Sequence, residues 1–365
     1  MKITKKIFLI LLLLLNITLA SCGESTNQLR FDKIGNYYKV TGLKNTKARK
    51  ITIPSKYDGL PVYEIDESAF ENCTSLRSVI LPDSIKRIEK NAFKGCKNLK
   101  KITLPKTINN IGECAFSNCE SLERIKLPEG INSPYFGDRP QHYGWGLFSG
   151  CKNLKEVIFP KNMPNIISRS MFSETGIETI TIPNGVESIA HFAFSGCTNL
   201  TSIEIPESVT SIGGFAFSGC TNLTSITMPL VDNDGSLEYF GYYFGANFLG
   251  TDFQTYEENK KFVPKSLEKI VIINSEKIDD YTFACFENIK TVIISSETKI
   301  IGVGAFYGCS NLEKIIIPKS VEYIKSFAFS ECSELNIYFE AEKQSLALSE
   351  KWNPMNRPVY WGIIE

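Results

Sequence analysis

The 365-residue sequence contains two histidines, His142 and His191. That scarcity excludes imidazole-rich metal centres and leaves histidine-based catalysis with two candidate bases. His142 falls in an irregular segment and His191 at a variable position before Phe194, and neither has a patterned nucleophile or carboxylate nearby. Charge of one sign is also missing. Forty basic and forty acidic residues cancel, so no chain-wide field draws the protein to nucleic acid or to an anionic membrane. The GxSxG, GxGxxG, P-loop and HExxH patterns are absent. Asp232, Asp234 and Glu238 form the densest acidic group, yet no glutamate stands at the EF-hand distance, so DNDG reads as a turn. The expectation is a protein without enzymatic activity, without a cofactor and without a bound metal.

The N-terminus carries an address. Lys2, Lys5 and Lys6 precede an apolar run from Ile7 to Leu15, which is shorter than the roughly 20 residues of a transmembrane helix and fits a signal-peptide core. The segment ends Leu19-Ala20-Ser21-Cys22 and resembles the bacterial lipobox. That resemblance implies removal of residues 1–21 and acylation of Cys22 as the first mature residue, with 22–30 as a lipidated tether. It also implies a lipid-anchored, surface-exposed place in a bacterial cell envelope. Ordinary cleavage near Ala20 and an uncleaved anchor remain open readings. More than one acyl chain on one residue gives stable anchoring, which a single chain does not.

The rest of the chain repeats itself. AFENCTSLRSVILPDSIKRIEKN, AFKGCKNLKKITLPKTINNIGEC and AFSGCTNLTSIEIPESVTSIGGF are three copies of one unit. Its phenylalanine recurs at Phe70, Phe93, Phe116, Phe148, Phe172, Phe194, Phe217, Phe248, Phe283, Phe306 and Phe329. Counting from that residue, Cys falls three positions on, Leu six, Ile or Val nine, Ile or Leu eleven and Pro twelve. A single copy cannot bury its apolar face, whereas stacked copies supply successive layers of a continuous core. Leu-x-x-Ile-x-Ile-Pro alternates as a strand, with Ile102 and Leu104 inward and Thr103 outward. Proline ends the strand where no ladder donor is needed. The stretch from Ala92 through Cys96 reads as a tight helical or 3-10 turn. The fold class expected is a leucine-rich-repeat solenoid of about eleven coils of about 23 residues, capped at both ends.

Eight of the eleven cysteines (Cys73, Cys96, Cys119, Cys151, Cys197, Cys220, Cys309 and Cys332) share the third position after the repeat phenylalanine. Metal binding does not suit a spacing of one thiol per coil without histidine. The open readings are disulfides between coils and buried free thiols acting as small hydrophobes, the latter favoured. Cys114 and Cys285 fall off this ladder and read as structural.

These motifs resemble the BspA-like group of bacterial leucine-rich repeats, with its AFxxCxxLxxIxLPxSVxxIG unit. The resemblance implies a surface protein that binds a host or bacterial surface protein. It carries over no binding residues, because the shared positions are core positions. Residues 31–66 resemble an N-terminal cap with a first partial repeat, 67–337 the array, and 338–365 a C-terminal cap in which Trp352 and Trp361 cover the last coil.

The array is interrupted near 132–146, 230–247 and 251–265. The first two insertions leave the coil at one phase, between strand and AF turn, and are rich in aromatics. Loops on rigid scaffolds carry function and Tyr and Trp dominate binding hot spots, which makes Tyr135, Phe136, Trp145, Tyr239, Tyr242 and Tyr243 candidate ligand-binding residues. The competing reading is that these rings pack onto the solenoid. The outward strand positions (Thr181, Glu204, Thr227, Val271, Ile293 and Ile316 among them) are a further candidate surface, apolar towards the C-terminal end. The reading is therefore a protein-binding adhesin or interaction module without nucleic-acid partners. The alternatives are a glycan-binding surface protein and an envelope-structural repeat without a dedicated ligand.

Overall fold

A computed structural model describes residues 27–131, 146–161, 165–231, 240–245, 260–342 and 347–362. They fall into two compact units, one comprising Met1–Gln141 with Trp145–Pro164, the other His142–Gly144 with Asn165–Glu365. Both are β-solenoids built from the 23-residue repeat.

Each regular coil has three sides. The first is the three-residue strand foreseen in Leu-x-x-Ile-x-Ile. In the second unit these strands form one parallel eight-stranded sheet, Thr179–Thr181, Ser202–Glu204, Ser225–Pro229, Lys269–Ile273, Thr291–Ile293, Lys314–Ile317, Asn336–Phe339 and Val359–Tyr360. The register pairs like with like: Ile203 faces Ile226, Ile226 faces Ile270 and Ile270 faces Val292. A slip of one residue would turn these aliphatic side chains out to water, so the alternation fixes the register. The second side is a two-residue strand centred on the later isoleucine, as in Ser188–Ile189 paired with Ser211–Ile212.

The third side is the AF turn, and it is not a helix. Ala92, Lys94 and Cys96 donate their N–H groups to the carbonyls three residues earlier, Glu89, Asn91 and Phe93. Left-handed residues flank each of these turns and stop propagation: Asn91 at φ 55° and Gly95 at φ 72°. Intervening N–H groups reach the next coil instead, Phe70 to Ala92 at 2.8 Å and Asn72 to Lys94 at 2.7 Å. The side thus behaves as a third ladder, which satisfies its backbone without helix.

The repeat phenylalanines are fully buried and stack ring on ring. In the first unit Phe70, Phe93, Phe116 and Phe148 follow at centroid separations of 5.1, 5.5 and 5.9 Å. In the second unit Phe172, Phe194 and Phe217 follow at 5.5 and 5.7 Å, and Phe283, Phe306 and Phe329 at 5.3 and 5.5 Å. The sequence places Phe248 in this series. Phe248 lies outside the described residues, and the rung after Phe217 is Phe244, at 6.1 Å. Residues Phe240–Phe244 form a 3-10 helix whose backbone replaces the AF turn, Tyr242 and Tyr243 accepting from the N–H groups of Phe215 and Phe217. Phe240 then fills the step to the next coil, 5.5 Å from Phe244 and 5.0 Å from Phe283. Five aromatic-rich residues satisfy the same steric demand as Ala-Phe, which hides the substitution from a motif search.

The ladder cysteines are buried free thiols with a specific role. The Sγ of Cys96, Cys119, Cys151, Cys197, Cys220, Cys309 and Cys332 each lies 3.0 to 3.2 Å from the carbonyl oxygen of the phenylalanine one coil earlier and donates to it. That carbonyl also accepts from the backbone N–H of its own coil's third residue, as Phe70 does from Cys73. Burial raises the thiol of Cys197 to about 11 and those of Cys151 and Cys332 to about 12, so none is a thiolate at neutral pH.

Both ends are covered. An antiparallel hairpin, Leu29–Ile34 with Tyr37–Leu43, leads into the parallel strand Leu60–Ile65. At the other end Trp361 stacks on Phe339 at 4.1 Å, and Trp352 meets Phe329 and Phe339 edge-on, as expected of lids on the last coil.

Candidate functional site

Core positions are taken up by stacking, so the candidate surfaces are those that the coil turns outward. On the eight-stranded sheet of the second unit the outward central positions align in register: Thr181, Glu204, Thr227, Val271, Ile293, Ile316, Tyr338 and Tyr360. The row changes character between Thr227 and Val271. Its first three members are polar, while its last five form an uninterrupted apolar ladder across adjacent strands. Ile293 is 45 % exposed and Tyr360 44 %. Tyr338 and Tyr360 stack at 4.8 Å, and the Lys314 ammonium lies 5.1 Å from the Tyr338 ring centre. The row is continuous, unlike scattered surface aliphatics.

Beside the polar half of this row is a groove of about 510 Å³, lined by Thr181, Glu204, Glu207, Ser208, Thr227 and Ile273. It belongs to a stretch whose charge is lopsided: from Ser170 to Asn259 the sequence has eleven carboxylates and no lysine or arginine. Chain-wide charge balance conceals this gap. A running count would have exposed it.

A second outward row lies at the corner two residues before the ladder phenylalanine. Phe192, Phe215, Tyr281 and Phe327 occupy it in the left-handed region, at φ 60°, 62°, 58° and 58°. Bulky side chains rarely adopt that conformation. Phe192 and Phe215 stack at 5.1 Å, Tyr242 meets Phe215 at 6.0 Å, and the Arg169 guanidinium carbon lies 5.4 Å from the Phe192 ring centre. The repeat motif does not mark this row, because its early members, Ser68, Asn91, Cys114 and Ser170, are not aromatic.

The insertion residues fare differently from one another. Tyr135, Phe136, Trp145 and Tyr239 lie outside the described residues, as does Cys22. Tyr243 is 3 % exposed, and its backbone carbonyl holds the place of the repeat alanine's, while its ring packs edge-on to Phe240 at 5.7 Å. Tyr242 is half-buried and continues the corner row. The competing reading, that insertion aromatics pack onto the solenoid, therefore describes Tyr243, Phe240 and Phe244. No grouping of His, Cys, Asp and Glu that would hold a metal ion occurs among the described residues.

The repeat text itself decides the family. The model of the BspA type leucine rich repeat region matches residues 33–139, 136–243 and 256–347, as six copies. The chain belongs to this family. Among solved structures, a leucine-rich repeat protein from Bacteroides ovatus is similar over 88 % of this chain and 88 % of its own, at 23 % identity and a TM-score of 0.50. A leucine rich cell surface protein from Faecalibacterium prausnitzii is 22 % identical over 87 % of this chain and 94 % of its own, with a TM-score of 0.42. At 23 % identity the likeness to the Bacteroides ovatus protein concerns the fold. No curated protein matches the chain.

Proposed function

We propose that this BspA-type protein is a lipid-anchored cell-surface interaction module, held to the bacterial envelope through Cys22 and binding a host or bacterial surface protein. The observation that carries the reading is the apolar row Val271, Ile293, Ile316, Tyr338 and Tyr360, aligned on adjacent strands and partly exposed. A fold that needs only inward-facing aliphatics gains nothing for its own core from outward ones. Protein is favoured over glycan by the state of the rings. Sugars stack on free aromatic faces, whereas Tyr338 and Tyr360, like Phe192 and Phe215, turn a face to each other. The scaffold reading leaves catalysis without assigned residues.

The test sets protein arrays of matrix, plasma and bacterial surface proteins beside glycan arrays, using wild type and Ile293→Asp. The expected result is binding to protein, weakened at least tenfold by Ile293→Asp with an unchanged circular dichroism spectrum. Binding confined to glycans, or protein binding indifferent to Ile293→Asp, overturns it.

A further inference from the structure

The charge pattern of the same sheet face narrows the occupant. Along the stack direction the central row runs Thr181, Glu204, Thr227 and then five apolar residues, in continuous hydrogen-bonded register from Thr181 to Tyr360. At the polar end Glu204 is exposed in the row itself, and Glu207 lines the groove beside it. The stretch that carries both, Ser170 to Asn259, has no lysine or arginine. At the apolar end the flanking position two residues earlier on the strands carries Lys269 and Lys314, both exposed. The face therefore has a direction: carboxylates at one end, an aliphatic and tyrosine ladder at the other, with Lys269 and Lys314 beside the ladder and Lys290 next to them paired to Glu268.

We infer that the partner docks here through a segment with a cationic end and an apolar end, laid along the stack with its lysines or arginines over Glu204 and Glu207 and its apolar side chains on Val271 to Tyr360. This rests on the sheet face being the docking surface. Complementary potentials fix orientation and raise the rate of encounter. The reverse orientation sets the segment's cations against Lys269 and Lys314 and leaves the carboxylates without counter-charge, so attraction and repulsion select the same pose. The dimensions suit a short segment. Five strands at about 4.8 Å spacing make an apolar ladder roughly 19 Å long, the reach of about six extended residues.

The experiment uses the purified protein and two fluorescent synthetic peptides that share an apolar half of alternating leucine and serine. One ends in three arginines, the other in three glutamates, and binding is read by anisotropy from low to physiological salt. The arginine peptide is expected to bind at least tenfold more tightly than the glutamate peptide. Glu204→Gln combined with Glu207→Gln is expected to remove most of that preference and most of its salt dependence. Equal binding of the two peptides, or a preference untouched by the double variant, overturns the inference. If both peptides then still depend on Ile293, the docking surface stands and only the cationic partner is lost. If Ile293→Asp leaves arginine-peptide binding unchanged, the docking surface itself is refuted. Absence of binding by either peptide also overturns the inference.

Discussion

The ring of Tyr242 lies directly over Gly214: a Cβ placed on Gly214 would stand 2.3 Å from the ring's Cζ and 2.5 Å from its hydroxyl oxygen. Glycine here is a requirement of the neighbouring ring, which the Phe215 N–H, donating to the Tyr242 carbonyl at 2.9 Å, helps to hold in place. Gly214→Ala should destabilise the second unit by about 1–3 kcal/mol through overpacking. The loss should largely vanish in a Tyr242→Ala background, because the two residues share one space. Chemical denaturation of the four members of this double-mutant cycle measures the coupling, and equal losses in both backgrounds would refute the contact.

Phe194 is buried between Phe172 and Phe217. Phe194→Ala should cost about 3–5 kcal/mol, the range for removing a core phenyl ring. Because coils contact only their neighbours, urea unfolding should also become less cooperative, with a lower slope or a second transition. Wild-type melting in this variant would show that the ladder does not bear on stability.

The buried thiols give the protein an alkaline limit. The thiol of Cys197 rises from 9.0 to about 11 and that of Cys151 from 9.0 to about 12, each mainly through burial. The native state therefore holds protons that the unfolded chain releases near pH 9, so this stability is complete below that pH and is lost as pH rises through 11 to 12. Unfolding free energy should be level to about pH 8 and fall beyond about pH 9, with a shallower fall in Cys197→Ala. Iodoacetamide should correspondingly label the native thiols far more slowly than the urea-unfolded ones. Rapid labelling of the folded protein would contradict the burial.

Glu331 sits at φ 59° in the place where other coils have Gly95, Gly196, Gly219 and Gly308. A side chain in the left-handed region is strained, and glycine relieves it at the expense of a more flexible unfolded chain. Glu331→Gly should raise stability by about 0.5–1 kcal/mol, visible as a higher melting temperature. A lower one would mean that the Glu331 side chain supplies more than the strain removes.

Cys22→Ala in cells should leave unprocessed precursor and abolish metabolic labelling with a fatty acid, with release of the protein from the membrane fraction or its retention as precursor. Equal labelling of wild type and variant would sink the anchor.

The repeat pattern was enough for the solenoid, the strand phase and the buried cysteine position, because each depends on a one-dimensional rule that recurs every coil. An inward aliphatic at alternate positions and a phenylalanine at each turn leave one way to stack. The apolar drift of the outward strand residues was legible for the same reason. What the pattern did not decide lies where the period breaks or where neighbouring coils meet. Phe244 stands off the repeat spacing and still follows Phe217 on the ladder, because packing selects a ring of the right reach rather than a spacing. The burial of Tyr243 was not legible either, since it depends on which coil its backbone joins. The Phe192–Phe215–Tyr242 row and the thiol bonds to phenylalanine carbonyls join residues at least 22 positions apart, and only the stacking of one coil upon the next brings them within reach.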